Sequence, residues 1–569
     1  MASTSFVLIA VATLSVASHT LQAQHVATAA APLARFYPDD PVRVDDDSRD
    51  IAPVATDDLS KSYDFVINTF KRKKVTMPAA NVNTLGEVPD SSWFNNRIGM
   101  REMSIAEVLR GPDTIDGPAA GPWQVIGRPE AGITPKFAIR DGNGNVFMIK
   151  LDPANIPELA SSVELISTKI FHAIGYIVPE DFIASLDPKQ LRVAPGARFK
   201  ADSGRDRALT IDDVERWLKN QAHQPDGTIR VLASRWVPGT VVGSFRFTGT
   251  RPDDPNDIYP HELRRELRGL RVFAAWLNHD DARSLNSIDT YVEDTGRRYI
   301  RHYLQDFGST LGSGSTSPQQ PRGGYEYLIE GDKIVKGLAS FGLWRRDWMK
   351  AKYEKLPALG NIESAVFNPG TWKTEYPHPA FDAMDAEDGF WAARIAARFT
   401  DEMIREIVNS AKLSNPATAD ALARIIIERR DKVVAHWITG VNPLDNFTVQ
   451  PVSNGHILVY DNAAVRLGIA SPGEGYETTW SAFDNGTGTE TIVVEPEIYS
   501  EPVSRVPEPA FGPVDSSGAR YAVATIRTLD AAYPSWARPV RVTVRNRAGV
   551  LDIVGIDRSS RGSAATNNH

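Results

Sequence analysis

The chain has 569 residues, a net charge of −8 with both signs interspersed, and no cysteine. Disulfides, thiolate metal sites and a cysteine nucleophile are therefore excluded, and no basic face offers itself to a nucleic acid. The length allows about two to four domains.

Phe6 to Ala17 is an apolar run of about 12 residues, short of the roughly 20 that span a bilayer. It has the length of a signal-peptide core, with small residues near Ala23 for cleavage, although no Lys or Arg precedes it. A buried N-terminal helix is the plainer alternative. No later stretch has the length and apolarity of a transmembrane helix. We expect residues 1–23 to be removed and the protein to be exported, periplasmic or secreted. Residues 24–95 contain Asp39-Asp40-Pro41 and Asp45-Asp46-Asp47 without the spaced ligands of a calcium loop. They read as a solvated, extended arm. One short helix is expected between Leu59 and Phe70, before the basic run Lys71 to Lys74.

Residues 96–258 read as a small lobe and hinge. Strands are predicted at Trp123 to Gly127, Lys136 to Arg140 and Val146 to Leu151, five in the whole lobe, with a hairpin turn at Asp141-Gly142-Asn143-Gly144. Lys150 ends an apolar strand, where many lysines simply snorkel to solvent. The next segment, Pro157 to Gly175, places Val163, Ile166, Ile170 and Ile174 on one helical face. Glu164 lies close enough to that face to reach Lys150, with Glu158 as a rival. A buried Lys–Glu pair would hold the lysine toward phosphates. The loop with Gly127, Gly132, Ile133 and Thr134 could cradle phosphate on its amides, or be a plain turn. No G-x-x-x-x-G-K-[ST] loop occurs. Ile229 to Trp236 reads as a strand, and Val237-Pro238-Gly239 as the hinge.

Residues 259–440 read as a helical large lobe. Pro260 to Leu277 carries Leu263, Leu267, Leu270, Phe273, Ala274 and Leu277 on one side. It delivers His279-Asp280-Asp281-Ala282-Arg283-Ser284-Leu285-Asn286. A strand from Tyr299 to Leu304 then delivers Asp306-Phe307-Gly308. Phosphoryl transfer of the kinase type needs one carboxylate for the acceptor proton, and a carboxamide and a second carboxylate for metal. Asp281 and Asn286 are five apart, and Asp306 follows after a strand, as in the protein-kinase signature. His279 could be a base, but packing beneath the loop is the stronger reading. Ser309 to Gly324 reads as a mobile loop, and residues 385–438 as helices with an aromatic core stripe. Residues 441–569 are β-rich and show no catalytic constellation.

The ordered set Gly132-Ile133-Thr134-Pro135-Lys136-Phe137, Lys150, Glu164, Asp281, Asn286 and Asp306-Phe307-Gly308 resembles a HipA-type kinase. Glu164 to Tyr176 also resembles the corresponding helix of secretory-pathway kinases of the Golgi casein-kinase type. The resemblance covers roughly residues 120 to 435. It implies an α+β, two-lobed protein-kinase-like fold, here with a small all-β domain appended, and the use of ATP with Mg or Mn. By the same resemblance Asp281 is the catalytic base. Lys150, Glu164, Gly132 and Thr134 contact nucleotide, and Asn286 and Asp306 hold metal. Two departures stand out: Asp280 occupies the arginine position of His-Arg-Asp, and no Ala-Pro-Glu follows.

The expected activity is ATP-dependent phosphoryl transfer to a hydroxyl acceptor, with protein as the first class considered. Two alternatives stay open: a nucleotide-binding pseudokinase acting as a binding module, and an enzyme of the same fold transferring AMP or another group. Scarce ATP outside the cytoplasm favours the first of these, and retention of every charged position favours the enzyme. Zinc and hydrolase readings are weaker, because His261-Glu262 lacks a second histidine and Thr310 stands where a nucleophile elbow has serine.

Overall fold

The computed structural model describes residues 35–70, 75, 77–129, 135–201, 204–340 and 344–558. The segment 1–23 expected to be a signal peptide, the basic run 71–74, and Gly132 and Thr134 lie outside the described residues. The described chain mixes helices and strands throughout.

A six-stranded sheet runs in the order Asp181–Leu186, Ile229–Arg235, Val146–Leu151, Lys136–Arg140, Trp123–Gly127, Leu191–Val193. Five strands were expected. The sixth is a three-residue strand lying parallel to Trp123–Gly127, too short to show periodicity. Alternation along Val146–Leu151 decides the sheet's two faces. Phe147, Ile149 and Leu151 bury into one core with Phe137, Val231 and Ala233. Met148 and Lys150 point to the other face, where the Leu159–Ile174 helix packs. Ala138, Met148, Ser234 and Asp181 form one row across four adjacent strands. At the helix end Gly175 has φ 146°, and a Cβ there would lie 2.3 Å from the Phe94 ring, so only glycine fits.

The second half is built on the Arg265–Leu277, Ala386–Ala396, Asp401–Ser410 and Pro416–Ile438 helices, packed around Trp276 and Trp391. The helix expected from Pro260 begins only at Arg265, after a 3₁₀ turn at His261–Leu263. The break is caused by Arg264, whose extended backbone sends its guanidinium to buried Asp257, 3.1 Å away. His261 Nε2 meets the same carboxylate at 2.7 Å. The expected Tyr299 to Leu304 strand is one arm of a longer hairpin, Ser287–Asp294 with Arg297–Leu304, to which Thr240–Gly243 adds a third strand. The hairpin turns at Thr295 and Gly296, both with positive φ, the pairing a two-residue turn requires.

The arm is extended and largely exposed over residues 35–70, but it is anchored at buried points. Trp93 is buried, stacked 3.5 Å from the His302 ring, with the Arg264 guanidinium 4.3 Å from its centroid. Asp47 accepts the amide and hydroxyl of Ser92. Ile51 is hydrogen-bonded to Arg298, and Asp57 to Val242. The region Ser309 to Gly324, expected as a loose loop, is tied down: the Leu311 amide donates to Leu277 and the Gln319 amide to Gly312.

Beyond Ile438 the chain forms a three-stranded sheet, Leu444–Val452, Gly455–Asn462 and Val503–Val506. A five-stranded sheet follows, in the order Thr489–Tyr499, Gly475–Asp484, Ala519–Leu529, Val540–Arg547, Val550–Asp557. Trp480, Tyr476, Ile526 and Val542 fill the space between them.

Candidate functional site

Lys150 sits at the centre of a charged cluster. Its Nζ is ion-paired with Glu164 from the Leu159–Ile174 helix and lies 3.2 Å from Asp306 Oδ1. Glu158, the rival partner, instead accepts the Ser414 amide at 2.9 Å. Asp181 belongs to the same cluster, with one carboxylate oxygen accepting the Thr168 hydroxyl at 2.6 Å. Burial opposes the Lys150 charge, but Glu164, Asp306 and Asp181 hold the ammonium's pKa above its ordinary value. Asp306 is lowered, first by Lys150. Glu164 and Asp181 are both raised by burial. Lys136 contributes a second ammonium, whose pKa burial lowers.

The catalytic-loop candidates form a second cluster. Asn286 Nδ2 donates to the Asp281 carbonyl at 2.7 Å and to Asp281 Oδ2 at 3.0 Å. Arg283 Nε lies 2.9 Å from Asp281 Oδ1. Burial pushes the Asp281 carboxyl up to about 7, against the pull of Arg283 and Asn286. Asp280 is pushed up to about 8 by burial and by Asp281 beside it.

The two clusters are joined through Asp306-Phe307-Gly308. Asp306 has φ 62°, a left-handed conformation uncommon outside glycine and asparagine, and it opens a 3₁₀ turn. Phe307 is buried and stacks on Phe171 of the Glu164-bearing helix at 4.7 Å. His279 packs edge-on against Phe307 at 5.7 Å. Burial drops the His279 pKa to about 4, so the ring is neutral at ordinary pH and serves as packing.

A cavity of about 190 Å³ opens between these elements, lined among others by Met148, Lys150, Asp181, Ser234, Ile288 and Asp306. A larger cavity of about 900 Å³ lies elsewhere, touching Asn278, Gly324 and Trp372. Its charged lining is Arg271, Lys333, Lys350, Lys373 and Arg429 with Asp347, Glu363 and Asp382, and Lys350 is paired with Asp347 within it. The smaller cavity is the one that holds the candidate residues: Glu164, Asp181 and Asp306 lie with Lys136 and Lys150, while Arg235, also in its lining, is paired with Glu180. An anionic polyphosphate fits such a cluster only with a cation beside it. Asn286 spends its NH₂ on Asp281, which leaves its carbonyl oxygen for a hard cation, as the Asp306 carboxylate also is. Among the described residues no three His, Cys, Asp or Glu side chains form a metal cluster of their own.

Sequence reasoning gave no role to Asp181, Arg283 or Lys136. Arg283 could have been found from its place two residues after Asp281. Asp181 could not, because only the cross-strand row brings it beneath Lys150.

No family model and no curated protein matches this sequence. Among solved structures, the chain is similar to that of the Helicobacter pylori proinflammatory kinase CtkA, at 15% identity and a TM-score of 0.30, over 56% of this chain and 96% of that one. At that TM-score the likeness carries no weight, and the site's geometry stands alone.

Proposed function

We propose that the protein is a kinase-like phosphotransferase with a two-lobed arrangement, moving the terminal phosphoryl group of ATP to a hydroxyl acceptor. The observation that carries this reading is Lys150 bonded both to Glu164 on the helix and to Asp306 at the wall of the cavity. A lysine merely snorkelling would have neither partner. In this reading the small lobe is the six-stranded sheet with the Leu159–Ile174 helix, and the large lobe is the helical half.

Lys150 and Lys136 hold the phosphates. Asp306 and the Asn286 carbonyl oxygen would hold Mg or Mn, which supplies neutralisation of charge on the transferred group. Asp281 accepts the proton of the acceptor hydroxyl through a carboxylate oxygen. The acceptor oxygen forms a bond to the terminal phosphorus as the bond to the bridging oxygen breaks, leaving ADP. Asn286 fixes the Asp281 carboxylate through the 3.0 Å bond to Oδ2. Arg283 keeps that carboxylate ionised against burial and offers a cation to the phosphoryl oxygens. Met148 and Ile288 give the base apolar walls, and Trp236-Val237 gives it a polar backbone edge. The export reading belongs here too: with residues 1–23 removed, transfer takes place outside the cytoplasm on an acceptor we take to be protein. No helix among the described residues is long and apolar enough to cross a membrane.

The test is incubation of residues 24–569 with γ-labelled and α-labelled ATP, with and without Mg²⁺ or Mn²⁺. Metal-dependent transfer of the γ label is expected. Transfer of the α label instead would identify nucleotidyl transfer. Binding without transfer of either label to any acceptor would identify a binding module.

A further inference from the structure

The arm reaches the catalytic loop through one side chain. Asp64, on the Tyr63–Phe70 helix, is 4% exposed although it is an acid. Its Oδ1 accepts the Ser284 hydroxyl at 2.8 Å across 220 residues of sequence. The Ser284 and Leu285 amides lie against the same carboxylate, as does the positive charge of Arg283. Asn68, one helical turn on, donates to Asp64 at 3.3 Å and keeps it aimed. Ser284 opens the Ser284–Asn286 3₁₀ turn, the segment that separates Asp281 from Asn286. Phe65 meets Tyr376 edge-on at 5.5 Å, and Arg246 lies over Tyr63 at 5.6 Å, so the helix is seated on both sides of this contact.

A buried carboxylate is costly unless bonded, and nothing in the arm itself uses this one beyond Asn68. The bonds it makes fix the 3₁₀ turn that ends in Asn286 and follows Asp281 in the same loop. We infer that Asp64 is a positioning residue for the transfer reaction, contributed by the N-terminal arm to hold the Asp281–Asn286 turn in its working shape. The inference rests on the phosphotransfer reading for its catalytic consequence, but the structural clamp is testable without it. Asp64 touches no substrate in this scheme and acts only through Ser284 and its neighbours.

The experiment is a double-mutant cycle with Asp64→Ala and Ser284→Ala in the full chain, read in two ways. The first is hydrogen exchange of the amides in residues 278–288. Each single variant is expected to speed exchange there, and the double variant to add little. Val66→Ala, on the exposed side of the same helix, should leave exchange unchanged. The second reading is turnover. Loss of an orienting partner one shell out typically costs about 10–100-fold. The loss should appear in kcat and in a raised metal requirement, because Asn286 shares the turn, while metal-free adenosine binding stays at the wild-type level. Loss of adenosine binding in Asp64→Ala would mark a folding defect, and Ser284→Ala then carries the test. Unchanged exchange at 278–288 in both single variants, or effects that simply add in the double variant, would overturn the clamp. If wild type transfers no phosphate, the phosphotransfer reading fails on its own and the exchange measurement still decides the clamp.

Discussion

In the proposed reaction Asp281 and Asp306 have different tasks, and their surroundings say which. Asp306 is bonded to a lysine that lowers its pKa, so it is an anion ready to hold a cation. Asp281 is raised to about 7 by burial, so it is poised to take a proton. Asp306→Ala should therefore weaken metal-dependent nucleotide binding together with turnover. Asp281→Ala should lose about 10²–10⁴-fold in turnover, the usual worth of a general base, with Mg-ATP affinity nearly intact. Calorimetry beside single-turnover transfer separates the two. The pH profile follows from the same value. The base works ionised, so kcat/KM should rise with pH through about 7. Arg283 opposes the upward shift, and Arg283→Gln should carry that limb to higher pH. A limb that stays in place in the variant would remove Arg283 from this role. Asp280 gives a separate test in stability. Its folded pKa of about 8 lies above the ordinary carboxylate value. The folded protein thus keeps a proton that the unfolded chain releases, and stability falls as pH rises through the window between the two values. Asp280→Asn should raise Tm most at pH 8, less at pH 5 and least near the ordinary carboxylate value at about pH 4, as thermal melts across that range would show.

Elements with a strong local period were legible in the sequence, and elements held by distant partners were not. Val163, Ile166, Ile170 and Ile174 announce the Leu159–Ile174 helix, and the apolar strand ending in Lys150 announces itself. The Asp281–Asn286 spacing marks a loop in which the two side chains meet, through the Asn286 Nδ2 bond to Asp281 Oδ2. The arm gave no such signal, because Phe36, Ile51 and Trp93 are scattered among Asp and Pro and each buries against a different part of the chain. Asp64 had no signal at all, since its partner lies 220 residues away. The break at Arg264 was hidden for the same reason: the apolar pattern runs straight through it, and buried Asp257 overrides the pattern. Gly269 shows how tertiary packing reverses a local preference. It lies within the Arg265–Leu277 helix, where alanine is usually better than glycine by about 1 kcal/mol. A Cβ there would lie 2.7 Å from the ring of Trp391, which is 1% exposed and cannot retreat. Overpacking of this kind costs about 1–3 kcal/mol. The clash should win, and Gly269→Ala should lower stability by about 1 kcal/mol in denaturant melts, against the helix scale.

Across the whole molecule, the C-terminal strands are joined to the helical half by more than a linker. Trp536 comes from between two of those strands, yet it is fully buried in the same core as Trp276 and Trp391. Its ring stacks on Tyr533 at 4.1 Å, and its Nε1 donates to the carbonyl of Thr439 just after the Pro416–Ile438 helix. Arg394 on the Ala386–Ala396 helix reaches Asp445 at 2.8 Å. The arm makes the same connection from the other end: Phe36 stacks on Tyr521 at 5.6 Å, while the chain beyond it reaches Ser284 through Asp64. A free appendage would melt alone, and a change in it would leave the cavity beside Lys150 untouched. Shared burial predicts the opposite. Trp536→Ala should cost about 3–5 kcal/mol, the usual range for a buried aromatic, and the cost should fall on one transition that includes the site. Calorimetry should show a single peak shifted down, and nucleotide binding should disappear at the same lowered temperature. Two peaks, with only one moved and the binding curve unchanged, would mean that the C-terminal β-rich region folds by itself and that the contact at Trp536 is only a seam.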